Sequence, residues 1–208
     1  MKPLKLVAVS AGLSRPSSTR LLADRLLEAA RRRLAEERTV EVRVVELRDL
    51  ATDIANNLVT GFPGARLREA LDAIAEADGL IAVTPIFTAS YSGLFKSFFD
   101  VIDNAALTGK PVLIAASGGT ARHSLALEHA LRPLFAYLRA IVVPTAVYAA
   151  SEDWGTAGSA GAGDDLAGRI GRAADELADL VLRRPATPER ADADTVVPFE
   201  QHLAALRP

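Results

Sequence analysis

The sequence of 208 residues contains no cysteine. This absence excludes disulfides, thiolate metal sites, iron–sulfur clusters and cysteine nucleophiles. Aromatic residues are also few, at 5%, and charge of one sign is not in excess, because 24 Lys and Arg stand against 26 Asp and Glu. A net charge of −2 gives no general attraction to nucleic acid or to an anionic membrane surface. We therefore expect neither as a partner.

Long hydrophobic runs are missing as well. The first apolar stretch holds only about five apolar residues before Ser10, which is too short for a signal peptide or a membrane span. We therefore expect a cytoplasmic protein. The three histidines, His123, His129 and His202, form no close group with carboxylates, so no metal site is expected.

Apolar residues make up 50% of the chain and charged residues 24%, the balance of a globular protein of one domain. Buried apolar runs alternate with helical stripes. The predicted strands are residues 4–10, 40–47, 80–84, 111–117 and 141–149, and the predicted helices are residues 17–37, 67–74, 92–106, 127–138 and 164–183.

This alternation predicts an α/β protein with a five-stranded parallel sheet covered by helices on both faces, a three-layer sandwich. The second strand alternates apolar and charged residues, and the fifth contains Pro144. Both features suit a sheet edge. They predict the strand order 2-1-3-4-5, and Pro133 predicts a kink in the fourth long helix.

Two segments lie outside the alternation. Ser151–Gly163 contains four glycines and is predicted to be a loop. Residues 184–208 contain four prolines and are predicted to form an arm beyond a domain of residues 1–183. Phe199, Leu203 and Leu206 lie at helical spacing in this arm, so it could dock on a neighbouring subunit.

Ligands of open parallel sheets bind beyond the carboxyl ends of the strands, where strand order reverses. The first loop there, Ser10–Thr19, carries five hydroxyl side chains and leads into a helix N-terminus, a favourable place for an anion. It lacks Gly-x-Gly-x-x-Gly and Gly-Lys-Ser/Thr, so a terminal monophosphate fits better than a dinucleotide or a nucleoside triphosphate. The alternative is that Ser17, Ser18 and Thr19 merely cap the helix. Glu46, which ends the second strand, is assigned to the surface.

The loops after the third and fourth strands predict a site for a planar cofactor. A flat ring could lie against Ile86 and Phe87, while the amides of Gly118 and Gly119 approach its polar edge, because glycine permits close backbone approach.

Taken together, these loops resemble those of the NAD(P)H-dependent FMN reductases of the flavodoxin-like superfamily, in particular the type paired with luciferase-like monooxygenases. The resemblance covers residues 4–183 and rests on Thr84-Pro85-Ile86-Phe87, Ser92-Gly93-Leu94-Phe95-Lys96, Gly118-Gly119, Arg122-His123 and Leu131-Arg132-Pro133-Leu134-Phe135. Many members begin the phosphate loop Gly-Ser-x-Arg, whereas here Arg15 stands one place later, so Arg15 is left out of the site.

The resemblance implies a flavodoxin-like fold, FMN as cofactor and NADPH or NADH as hydride donor. It implies that Ser10, Ser17, Ser18 and Thr19 hold the FMN phosphate. It places Pro85, Ile86, Phe87 and Thr88 against the ring and ribityl chain, and Ser117, Gly118, Gly119 and Thr120 at the pyrimidine edge.

The implied reaction is hydride transfer from the nicotinamide to FMN, with reduced flavin supplied to a flavin-dependent monooxygenase. The flavin carries this chemistry, so no catalytic side chain is assigned. Two alternatives stay open: a quinone, azo-dye or metal-ion reductase with tightly bound FMN, and an electron-transfer flavodoxin that does not react with nicotinamide.

The helix predicted from Ser92 carries more apolar residues than docking on a sheet requires: Leu94, Phe95, Phe98, Phe99, Val101 and Ile102. This surplus predicts a subunit interface, hence a homodimer or homotetramer.

Overall fold

The computed structural model describes residues 2–154 and 165–184. Its strands are β1 (Leu4–Ser10), β2 (Val40–Glu46), β3 (Gly79–Phe87), β4 (Ser90–Tyr91), β5 (Pro111–Gly118), β6 (Ile141–Val142) and β7 (Val147–Ala150). Its α-helices are α1 (Ser18–Ala35), α2 (Ala51–Thr60), α3 (Ala65–Glu76), α4 (Gly93–Asp100), α5 (Arg132–Tyr137) and α6 (Leu166–Arg183). Short 3-10 helices cover Leu47–Leu50, Ala121–His123 and Ser151–Trp154, and a π-helix covers Leu127–Leu131.

The main sheet is parallel and has the order β2-β1-β3-β5-β6, while β7 also pairs with β5. Ile141 of β6 lies opposite Pro111 at the start of β5, and Ala149 of β7 lies opposite Ser117 near its end. The predicted fifth strand is therefore one edge strand divided around Pro144, which has no N–H to donate to a ladder. Counted in this way, the predicted order 2-1-3-4-5 is confirmed.

Each strand of the centre buries both of its faces. Leu4, Leu6 and Ala8 of β1 belong to the core under α1 and α6, whereas Val7 and Val9 belong to the core under α2 to α5. This gives the expected three layers, because successive side chains of a strand point to opposite faces.

Helix α1 begins where the sequence pattern predicts it. Ser17 is the N-cap, and its hydroxyl accepts a hydrogen bond from the N–H of Arg20 at 3.2 Å. The predicted apolar stripe is buried along its whole length: Leu22, Leu26, Ala30 and Leu34.

Three helical predictions need correction. Helix α2 was not predicted, and it buries only Ile54 and Asn57. The helix predicted over 92–106 ends at Asp100, and turns follow. The helix predicted over 127–138 is a π-helix that runs directly into α5, with Pro133 two residues after the end of the π-helix.

The surplus of apolar residues on α4 has an internal explanation. Phe95, Phe98 and Phe99 are buried within the chain, and the rings of Phe99 and Phe135 meet edge to face with centroids 4.9 Å apart. These rings need no second subunit to cover them. The homo-oligomer stays a prediction, without the reason that the sequence suggested.

Parts of two predicted segments fall outside the described residues: 155–163 of the glycine-rich loop, and 185–208 of the arm. The start of the loop is the 3-10 helix Ser151–Trp154 rather than irregular chain, and the guanidinium of Arg25 lies 5.0 Å from the Trp154 ring centroid. Among residues 2–154 and 165–184, no helix combines the length and hydropathy needed to cross a membrane.

Candidate active site

Three loops meet at the carboxyl edge of the sheet, and backbone pairing fixes their relative positions. The N–H of Ala11, directly after β1, donates to the carbonyl of Val83 in β3 at 2.9 Å. Pro85 of β3 lies opposite Ser117 of β5. The loops that begin at residues 11, 85 and 118 therefore lie side by side, as the parallel order requires.

The first loop folds tightly over the start of α1. A Cβ at Gly12 would lie 2.1 Å from the Ser17 hydroxyl, so a side chain there would displace this hydroxyl from its capping position. Ser17 caps the helix, as the alternative interpretation predicts, while Ser18 is exposed in the first helical turn. The Ser17 hydroxyl takes the N–H of Arg20, whereas the N–H groups of Ser18 and Thr19 have no acceptor within the helix and can face an anion.

Thr19 and Ser117 are directed toward each other. Both are buried, and their hydroxyl oxygens lie 2.8 Å apart. This bond joins the first loop to the end of β5, so both side chains hold the loops together. Ser10 is buried beneath the same loop, and its hydroxyl has no hydrogen-bond partner in the described part of the chain.

Charged side chains behind the first loop brace it. Glu46 forms ion pairs with both Arg20 and Arg48, and Arg48 also donates to the carbonyl of Ser14 at 2.6 Å. Glu46 is therefore half-buried and paired, which corrects its assignment to the surface. Arg15 is exposed and pairs with Asp49 at 3.2 Å.

The second loop is a hairpin in which β3 turns back into β4. Ile86 lies opposite Tyr91 and Phe87 opposite Ser90, which leaves Thr88 and Ala89 as a two-residue turn with φ of 48° and 66°. Phe87 is 48% exposed. The hairpin thus presents an apolar ring and two strained backbone residues at the sheet edge.

Buried hydroxyls fasten the base of this hairpin. The Thr84 hydroxyl accepts a hydrogen bond from the N–H of Ser92 at 3.0 Å. The Ser92 hydroxyl caps α4 by accepting from the N–H of Phe95 at 3.2 Å.

The third loop runs from Gly118 to Thr120 and enters the 3-10 helix that contains His123. Gly119 and His123 are exposed. The Thr120 carbonyl accepts a hydrogen bond from the Tyr148 hydroxyl at 2.9 Å.

The residues of these loops fit FMN. A helix N-terminus with available N–H groups, the exposed Ser18 and the unpartnered Ser10 hydroxyl beneath it suit a phosphate. Phe87 offers a ring face, and the exposed Gly119 leaves its amide open to a polar ring edge.

Comparison with known proteins agrees with this geometry. Residues 4–155 match the family described as NADPH-dependent FMN reductase. The chain belongs to this family. It is similar to the FMN reductase (NADPH) of Pseudomonas aeruginosa, with 42% identity over 152 residues that cover 73% of this chain and 80% of that protein. The NADH-dependent FMN reductase SfnF of Pseudomonas fluorescens is 41% identical over 153 residues, 74% of this chain and 80% of SfnF.

Solved structures support the same assignment. An oxidoreductase from Corynebacterium diphtheriae is 46% identical, with a TM-score of 0.84 over 89% of this chain and 100% of that one. A flavodoxin, WrbA-like protein from Agrobacterium tumefaciens has a TM-score of 0.59 at 17% identity, over 88% of this chain and 100% of that one, which shows the shared fold alone. The FMN reductase family, the flavodoxin-like fold, and an oxidoreductase that uses FMN with NADPH or NADH are thus confirmed.

Sequence reasoning missed Arg48 and Tyr148, whose contacts with Ser14 and Thr120 span 34 and 28 positions of sequence. It included Thr84 and Ser92 in the family motifs but gave neither a structural role. A signal was present for Ser92, which precedes an apolar helical stripe and is a common N-cap residue.

Proposed function

We propose that the three loops at the carboxyl edge bind FMN in the way that the sequence resemblance implies. The phosphate would lie at the N-terminus of α1 near Ser10, Ser17, Ser18 and Thr19, the ring and ribityl chain along Pro85–Thr88, and the pyrimidine edge at Ser117–Thr120. The observation that carries this proposal is the bond between Thr19 and Ser117, because it ties the phosphate subsite to the ring subsite at a fixed separation.

In this proposal, the residues of the three loops bind FMN and orient its ring. The first turn of α1 supplies N–H donors and a positive dipole end to a dianionic phosphate. The Arg20–Glu46–Arg48 network and the Thr19–Ser117 bond hold that turn in place before binding, which lowers the ordering cost. FMN, when bound, supplies the ring atom that accepts hydride from NADPH or NADH, so the protein need not provide an acid or a base.

We further propose that the protein works in the cytoplasm and supplies reduced FMN to a flavin-dependent monooxygenase, including the luciferase-like type. Phe87, Thr88, Ala89 and Gly119 are all exposed. A ring subsite built from them would be open to solvent, which favours exchange of flavin with a second protein.

A binding comparison tests the phosphate subsite. Riboflavin lacks the phosphate, and a hydrogen bond to a charged group contributes roughly 1.5 to 3 kcal/mol, so the loss of two such bonds should weaken riboflavin binding about a hundredfold or more relative to FMN. In the Ser17→Ala/Ser18→Ala double variant, FMN binding should weaken while riboflavin binding stays the same. Thr39→Ala, at the opposite edge of the sheet, is the matched control. Equal dissociation constants for FMN and riboflavin in the unmodified protein, measured by fluorescence quenching, would contradict the proposal.

The reaction is tested by anaerobic spectra of the FMN-loaded protein mixed with NADH or with NADPH. Loss of the oxidised flavin absorbance with at least one donor is expected. Absence of bleaching with both would favour an electron-transfer flavodoxin instead.

A further inference from the structure

The Gly118–Thr120 loop, which the proposed function places at the pyrimidine edge of FMN, rests on a residue from a different strand. Tyr148 lies on β7 opposite Ala116 of β5 and is 4% exposed. Its ring belongs to the core on the side of α2 to α5, and its hydroxyl donates to the carbonyl of Thr120. The side chain thus runs from the core to the underside of the loop.

Gly118 makes room for this side chain. A Cβ at Gly118 would lie 2.0 Å from the Tyr148 hydroxyl oxygen and 3.1 Å from Cζ. The φ of Gly118 is not in the left-handed region, so backbone conformation does not require glycine here. The space above the Gly118 Cα is filled by tyrosine from within the protein, and this explains the glycine without a ligand.

We infer that Tyr148 is a positioning residue for FMN. Its hydroxyl fits beside Gly118 because glycine has no side chain, and it donates to the Thr120 carbonyl. This bond sets the distance between the Gly118–Thr120 loop and the ring edge that the loop faces. The Thr120 hydroxyl also accepts from the N–H of Arg122 at 3.4 Å, so the residue that Tyr148 holds begins the next 3-10 helix. A phenylalanine at 148 keeps the packing but removes this donor, so the Thr120 carbonyl keeps only the longer hydrogen bond from the N–H of His123, at 3.5 Å.

The inference rests on the proposed FMN site, and its first test compares two ligands. Tyr148→Phe should weaken binding of FMN and of riboflavin by the same factor, roughly three- to tenfold, since one hydrogen bond is lost and the loop does not face the phosphate. The FMN-to-riboflavin ratio therefore stays unchanged. Tyr137→Phe removes a hydroxyl from a side chain that is 77% exposed on α5 and should leave both constants unchanged.

Rescue gives a second test. Gly118→Ala should weaken flavin binding about tenfold or more, because the methyl group displaces the Tyr148 hydroxyl and the loop with it. Adding Tyr148→Phe to Gly118→Ala should recover part of this loss, since only the 3.1 Å contact with Cζ then remains.

Several outcomes would overturn the inference. Tyr148→Phe could lower the melting temperature and leave both dissociation constants unchanged, which is the result of a purely structural role. Gly118→Ala could lose affinity that Tyr148→Phe does not restore, as expected if the flavin itself approaches Gly118. If instead the unmodified protein binds neither flavin, the proposed function fails, and that result is distinct from a failure of Tyr148.

Discussion

Thr19 and Ser117 show how one buried hydrogen bond can change the role of a residue. Each hydroxyl is a reasonable ligand for FMN when the sequence is considered alone. In the structure each is buried and serves as the partner of the other across 98 positions of sequence. Their main contribution is to join α1 to β5.

This pairing predicts non-additive effects on stability. Thr19→Val and Ser117→Ala should each lower the free energy of unfolding by about 1 to 3 kcal/mol without flavin, because each leaves one buried hydroxyl unpartnered. The double variant should lose no more than either single variant, since both partners are then apolar and no buried hydroxyl is left unpartnered. Urea unfolding measures this cycle. Losses that simply add would show that the two hydroxyls do not depend on each other.

Lys110 is a buried cation at the amino edge of the sheet, far from the loops of the site. Its side chain is 2% exposed, and its ammonium donates to the carbonyls of Ile74 and Ala75 at the end of α3, the latter at 2.8 Å. Burial, with a further contribution from Arg184, lowers the pKa of Lys110 from 10.5 to about 8. Lysine here satisfies helix carbonyls at the cost of burying a charge.

The lowered pKa predicts a stability that rises with pH. Between pH 8 and 10 the unfolded chain binds a proton that the folded Lys110 has released, so raising pH favours the folded state. Relative to Lys110→Met, the free energy of unfolding of the unmodified protein should increase by on the order of 2 kcal/mol from pH 8 to pH 10. Urea unfolding measures this increase.

Lys96→Met is the matched control for this pH dependence. Its hydrogen bond to Asp100 raises the pKa of Lys96 above 10.5, so the stability that Lys96 contributes stays constant below pH 10. If the difference in free energy of unfolding between the unmodified protein and Lys110→Met does not change with pH, Lys110 stays charged over this range.

At the scale of elements, the β3–β4 hairpin departs from its usual turn chemistry. Two-residue hairpin turns with positive φ at both positions favour Asn-Gly, yet here Thr88 and Ala89 adopt φ of 48° and 66°. Threonine is especially disfavoured there because it is β-branched. No turn signal in the sequence marked this hairpin.

Relieving the turn should stabilise the protein. Thr88→Asn/Ala89→Gly is expected to raise the free energy of unfolding by about 1 to 2 kcal/mol, since the left-handed conformation costs an ordinary residue roughly 1 to 2 kcal/mol. Thermal unfolding without flavin measures the gain. A lower free energy of unfolding in this variant would contradict the prediction, because it would mean that a contact of the Thr88 side chain stabilises the protein by more than the turn strain costs.

The π-helix before α5 is another element-scale departure. The apolar stripe at Leu127 and Leu131 predicted a helix there and both residues are buried, but a four-residue period cannot distinguish a π-turn from an α-turn. Only the packing of the finished helix decides between them.

At the scale of the whole molecule, the chain leaves large apolar side chains uncovered at the end of α2. Val59 is 87% exposed and Phe62 is 79% exposed, whereas the rings of α4 are internal. A homodimer or homotetramer therefore remains our expectation, with these residues rather than α4 as candidates for contact.

Light scattering at micromolar concentration should give twice or four times the mass of one chain, 22.0 kDa. A mass of one chain would contradict this expectation. It would leave the flavin site unaffected, because all three loops come from a single chain.

The sequence by itself determined the layered parallel fold, the strand order and the edge where the loops meet. These follow from local signals: apolar runs bounded by glycine, helical stripes, and the rule that parallel strands need crossovers. The family motifs likewise lie in short contiguous segments. Only the tertiary structure decided that Thr19 meets Ser117, that Glu46 pairs with Arg20 and Arg48, and that Gly118 admits Tyr148. Such contacts join residues brought together by folding, and no period or spacing along the chain encodes which hydroxyl faces a ligand and which faces another side chain.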